Sequence, residues 1–111
     1  EKHWLVDHES TQNLLSLLNV ERERLHIDPL ELDLDMCLSA WECSRNWLPT
    51  SYTHNGSKYQ QAIYLGPSSH EDAIRGFMNS PGHREILLSG TRAGIAYWTD
   101  GNETYYTIEV E

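Results

Sequence analysis

The chain has 111 residues, with 8 Lys and Arg against 17 Asp and Glu for a formal net charge of −9, and its length fits one domain around a single hydrophobic core. A surface this acidic excludes nucleic acid as a partner, because neutralising phosphates with Lys and Arg supplies most of that affinity; an anionic membrane surface is disfavoured on the same grounds. No apolar run approaches the roughly 18 residues of a membrane span, so no transmembrane segment is expected.

Residues 10 to 25, "STQNLLSLLNVERERL", predict a helix capped by Ser10 or Thr11, with Leu14, Leu17, Leu18 and Leu25 on one side. Pro29 disfavours a helical Asp28 and breaks the pattern within "HIDPLELD". A second helix is predicted over 33 to 47, where Met36, Cys37, Ala40, Trp41, Ser44 and Trp47 recur at spacings of three and four as a buried stripe. From 48 to 67 the periodicity is lost. Pro49, Asn55-Gly56 and Gly66-Pro67 punctuate a long loop in which "AIYL" reads as a short strand.

A third helix is predicted over 69 to 79. Ser68 with Glu71, or Ser69 with Asp72, forms a capping box, and Ala73, Ile74, Phe77 and Met78 supply the apolar face. A short fourth helix starts in "SPGHREILL", with Ser80 as N-cap, Pro81 at the first helical position and Gly90 closing the element. "TRAGIAYWTDGNETYYTIEV" reads as a hairpin around Asp100-Gly101. This order gives an α+β fold, in which a sheet with helices on its faces buries the apolar stripes.

Cys37 and Cys43 lie six residues apart, roughly 240° around a helix, so an intact helix cannot join them. Without a Cys-x-x-Cys pair or a Cys/His metal spacing, both read as reduced, half-buried hydrophobes. No Gly-x-Ser-x-Gly elbow is present and neither cysteine adjoins a histidine, so no nucleophile stands out. Asn55-Gly-Ser57 and Asn102-Glu-Thr104 match the glycosylation acceptor pattern. Of six histidines, His3, His8, His26 and His70 read as plain surface residues. His54 and His83 come from separate elements and are the candidates for a shared cleft, as proton carriers or metal ligands. Catalytic zinc takes three protein ligands, and the spacing offers no obvious third.

Several stretches together resemble the CAP superfamily of cysteine-rich secretory proteins, venom allergens, plant pathogenesis-related proteins and bacterial secreted domains. They are the Asn-x-x-Arg helix (Asn19, Arg22), the Pro-Leu step (Pro29, Leu30), Leu38 near Ala40, "AIRGFMNSPGHREILL" and the closing "AGIAYW…YYTIEV". The resemblance spans nearly the whole chain, and Ser-Pro-Gly-His-Arg is its most specific part. It implies an α-β-α sandwich, a small antiparallel sheet between helical layers, with a central cleft that carries two histidines and two acids in members with the full set. Some of those members bind a divalent metal such as zinc.

On this resemblance His54 and His83 are the cleft histidines. The first acid belongs to a Gly-Glu-Asn-Ile run that here reads "QQAI", which puts Gln61 at the acid's position; the second falls at Ser80. With both acids replaced, no carboxylate raises a histidine pKa or orients a water. Two imidazoles, an amide and a hydroxyl would hold a metal only weakly. Ser80 has a competing role, its hydroxyl capping the helix that presents His83. The expectation is therefore a single CAP domain over 1–111, a piece of a longer bacterial secreted or cell-surface protein. It would act as a noncatalytic module for a protein, lipid or cell-wall ligand and require no cofactor. The alternatives are a weak hydrolase dependent on zinc or another divalent cation held by His54 and His83, and lipid or sterol binding.

Overall fold

The structure, a computed structural model, describes residues 8–45, 59–66, 69–99 and 104–111, and of residues 43–45 and 65 the backbone alone. Its elements in chain order are α1 (Glu9–Arg24), β1 (Glu31–Leu32), α2 (Leu34–Arg45), β2 (Gln60–Leu65), α3 (His70–Met78), α4 (Pro81–Leu87), β3 (Arg92–Thr99) and β4 (Thr104–Val110). His54, Trp47, the Asp100-Gly101 turn and the two glycosylation asparagines lie outside the described residues, as does the side chain of Cys43.

Helix α1 is capped by His8, whose Nδ1 accepts the Ser10 N–H at 3.2 Å. The expected caps do other things: Thr11 is buried, and its hydroxyl donates to the Ile95 carbonyl at 3.4 Å. Leu14 and Leu18 carry the buried stripe. The helix ends in a Schellman turn, with the His26 N–H on the Glu23 carbonyl (3.0 Å), the Ile27 N–H on that of Arg22 (2.8 Å), and His26 itself left-handed at φ 62.

The Asn-x-x-Arg spacing acquires a physical reason here. The Asn19 amide accepts the Leu30 N–H (2.8 Å) and donates to the Leu30 carbonyl (3.2 Å), holding the returning chain as a strand would. One helical turn on, Arg22 is 1% exposed and donates to four carbonyls, those of Asp28 (2.7 Å), Leu87 (2.9 Å), Ser89 (2.8 Å) and Gly90 (2.9 Å). Three of these close the C-terminal end of α4, where partial negative charge gathers. Burial lowers the Arg22 pKa, opposed by the nearby Asp28.

Asn19 delivers the chain to β1, a strand the sequence did not predict; it runs parallel to β3 through Glu31↔Arg92 and Leu32↔Ala93. The sheet order is β1-β3-β4-β2, and both other pairings are antiparallel. The sheet expected to be wholly antiparallel is thus mixed at one edge. Asp33 then starts α2, its carboxylate accepting the Met36 N–H at 3.1 Å. At α3 the cap is Ser69, whose hydroxyl accepts the Asp72 N–H at 3.1 Å.

Strand alternation sorts the sheet's two faces. Ala62, Ala93, Ile95, Tyr106, Ile108 and Val110 pack with Leu14 and Leu18 of α1, Phe77 of α3 and Leu87 of α4. The opposite face takes α2, whose Met36, Cys37 and Ala40 are fully buried. The helix backbone comes so close that a Cβ on Gly94 would lie 2.1 Å from the Met36 carbonyl carbon. This is the α-β-α sandwich. Cys37 is a free thiol, buried completely rather than halfway, and burial pushes its pKa up.

Candidate functional site

His83 is held at the third position of α4. Pro81 supplies a preset backbone angle for the first turn, and the Ser80 carbonyl accepts the Arg84 N–H at 2.8 Å. Ser80 occupies the N-cap position, but its hydroxyl makes no capping hydrogen bond. The cap role expected of that hydroxyl is not filled; proline and the backbone set the helix start. The His83 ring meets Phe77 edge to face, centroids 5.3 Å apart, and Phe77 meets Tyr64 in the same way at 5.3 Å. The imidazole is thus seated on the aromatic edge of the core. His54, its proposed companion, lies outside the described residues.

Gln61 is placed differently. It is 6% exposed and points to the α2 side of the sheet, where its amide nitrogen donates a short hydrogen bond to Glu109. The same Glu109 oxygen accepts the Ser39 hydroxyl of α2 at 3.0 Å. Gln61 and Glu109 are direct cross-strand partners, and Glu109 is fully buried. The contacts of Gln61 and those of the Phe77–His83 pair therefore lie on opposite faces of the sheet. Glu109 is the residue that sequence reasoning missed: a carboxylate stands one strand across from Gln61, and two neutral donors offset part of the cost of burying it. The available signal was alternation, which puts Glu109 on one face with Tyr105 and Thr107.

A second correction concerns His70, which is not a plain surface residue. Its Nδ1 lies 3.2 Å from the Tyr106 hydroxyl and its Nε2 3.2 Å from that of Ser10, and its ring meets Tyr97 and Tyr106 edge to face. Burial lowers the His70 pKa, opposed by Glu71 and Glu9, and pushes that of Tyr106 up to about 12. Because the folded His70 resists protonation, its contribution to stability is complete above its unfolded pKa of ~6.5 and is lost as pH falls through the lower folded value. Urea midpoints at pH 7.5 and pH 5.5 are expected to fall more for the native chain than for His70→Gln; equal falls would contradict the assignment.

Among the described residues no group of three His, Cys, Asp or Glu side chains is arranged to hold a metal ion. Of the donors proposed from the sequence, the Gln61 amide nitrogen bonds Glu109 on the α2 side of the sheet and the His83 ring meets Phe77 on the other, while His54 lies outside the described residues. The surface carries grooves elsewhere. One of about 360 Å³ runs between α1 and α3, floored by Leu17, Val20, Ile74 and Met78 and edged by Arg24 and Arg84. Another, of about 240 Å³, opens beside β3.

A four-stranded sheet covered by α2 on one face and three helices on the other, with a histidine presented by a Ser-Pro-Gly helix start, defines an α-β-α sandwich of the cysteine-rich secretory type. The chain belongs to the CAP (cysteine-rich secretory protein) family, whose model matches residues 15–110. No curated protein sequence matches it significantly. Among solved structures, it is similar to an outer surface protein of Borrelia burgdorferi, with 16% identity, 94% of each chain covered and a TM-score of 0.59. It is also similar to a cysteine-rich secretory protein of Staphylococcus aureus, with 18% identity, 92% of this chain and 38% of that one covered and a TM-score of 0.68. An extracellular protein of Bacillus anthracis containing an SCP domain matches with 19% identity, 92% and 40% coverage and a TM-score of 0.59. The chain thus spans about two fifths of the last two proteins and nearly all of the borrelial one.

Proposed function

We propose that the chain is a noncatalytic CAP domain of a bacterial secreted or cell-surface protein, which binds a protein, lipid or cell-wall ligand at or near the cleft of His54 and His83. The observation that carries this reading is the state of Gln61. At the position that the family resemblance gives to an acid, the chain has an amide that is buried and bonded to Glu109. A group so engaged is poorly placed to orient a water for His83, which counts against the metal-dependent hydrolase. The extracellular setting is supported by the similar proteins: an outer surface protein, a secretory protein and an extracellular protein. Lipid binding has support of its own in the apolar floor of the α1–α3 groove.

Calorimetric titration with zinc separates these readings. The noncatalytic reading expects no saturable heat at micromolar concentrations in the native chain. A single micromolar site that disappears in His54→Ala/His83→Ala would favour the hydrolase. Lipid carried through purification and released by organic extraction would favour the groove.

A further inference from the structure

The α1–α3 groove is built from the same spacing on both helices. α1 lines it with Leu17, Val20, Glu21 and Arg24, and α3 with Glu71, Ile74, Arg75 and Met78, each set at i, i+3, i+4 and i+7. That spacing is one face of a helix over two turns, about 10 Å of length. Ser10 at the start of α1 meets His70 at the start of α3, so the two helices run side by side in the same direction. The floor is apolar. Ile74 and Met78 are buried in it, but Val20 is 62% exposed, more than any other large apolar side chain among the described residues.

The charges on the banks are not evenly matched. Arg24 pairs with Glu21 and Arg75 with Asp72, each at 2.7 Å along its own helix. Arg84 is half-buried and comes from α4, which begins where α3 ends. It has no ion pair among the described residues. Glu71 lies at the other end of the groove, beside Leu17. A groove with a positive end therefore stands on a chain of net charge −9.

We propose that this groove docks an amphipathic helix of a partner protein, its apolar stripe on Val20, Ile74 and Met78 and a carboxylate of its flank on Arg84. A helix is the occupant because two adjacent helical faces of matched spacing form the furrow into which the side-chain ridge of a third packs. Charged banks around an apolar floor also match the polar flanks on either side of an apolar stripe. A lipid tail would lie open to water along Val20, with nothing beyond its head to meet the banks. A second copy of this chain would set groove against groove and leave both floors unfilled. Arg84 favours an acidic flank over a basic one. The site uses neither Gln61, Ser80 nor His83, so it goes beyond the function proposed above and is tested separately from it.

The probe is a phage-displayed library of helical peptides selected on the whole chain, with Leu fixed at i, i+3 and i+7 and the flanking positions varied among Glu, Lys, Gln and Ala. Selected peptides are expected to carry Glu on one flank. The best of them, once synthesised, should shift the amide resonances of Val20, Ile74, Met78 and Arg84. Val20→Asp, a change at an exposed position, should weaken binding about tenfold or more. Arg84→Glu should weaken it about tenfold, and exchanging the peptide's flanking Glu for Lys should restore it. If either variant unfolds, the Lys peptide on the native chain decides, with the same loss of about tenfold expected. His54→Ala/His83→Ala should bind the peptide as the native chain does. No selected binder, binders without a preference for Glu, an Arg84→Glu loss that the Lys peptide does not recover, or a sedimentation dimer dispersed by Val20→Asp would each overturn the proposal. Lipid that co-purifies with the native chain and is absent from Val20→Asp would overturn it too, assigning the groove to lipid.

Discussion

Replacing Arg22 with Ala is expected to cost on the order of 4 kcal/mol of folding stability, since four buried or part-buried carbonyls lose their donors at once. Against a total of about 5–15 kcal/mol for a domain, that is a large fraction of what holds the chain folded. Arg22→Lys should recover little. A lysine ammonium is a point charge with three donors, whereas the guanidinium bonds Asp28 through Nε and the end of α4 through both terminal nitrogens. Thermal melts of both variants check this, and a loss below about 1 kcal/mol for Arg22→Ala would show that water satisfies those carbonyls.

Gly94→Ala is expected to have a comparable effect by another route. The added carbon would sit 2.1 Å from the Met36 carbonyl carbon, 2.2 Å from its oxygen and 2.5 Å from the Cys37 nitrogen. Those atoms are helix backbone and cannot turn aside, so α2 must lift from the sheet and loosen the packing of Met36, Cys37 and Ala40. Overpacking of this kind costs about 3 kcal/mol or slightly more. Gly76→Ala provides the contrast. Its nominal clash is as short, 2.2 Å, but falls on the Tyr64 ring, a side chain that can swing. The helix propensity gained from Ala, about 0.8–1 kcal/mol, offsets part of the cost. Denaturant midpoints should fall steeply for the first variant and modestly for the second; the reverse order would mean that α2 is not seated on Gly94 as described.

The four helices and the terminal hairpin were legible in the sequence because each carries a stripe long enough to show its period, as Leu14 and Leu18 or Met36, Cys37 and Ala40 do. β1 was not, because two residues are too few to show alternation, and the chain is brought to the sheet there by the Asn19 amide, which bonds Leu30 eleven residues further on. His70 looked exposed from its place in a polar first turn. Its partners Tyr106 and Ser10 lie 36 and 60 residues away, so nothing local signals its burial. Glu109 and Gln61 were hidden for a related reason: alternation places both on a face that would be wet in a one-sided sheet, and only the packing of α2 turns that face inward. The helix start that presents His83 was read correctly, although proline and backbone bonds rather than the Ser80 hydroxyl hold it.

On the function proposed above, the chain keeps a CAP scaffold and catalyses no hydrolysis at His54 and His83. The most direct measurement is turnover of casein, peptidoglycan and small ester substrates by the native chain with added zinc, compared with His54→Ala/His83→Ala. Rates indistinguishable from buffer are expected for both proteins. Turnover by the native chain that the double variant abolishes while remaining folded would contradict it.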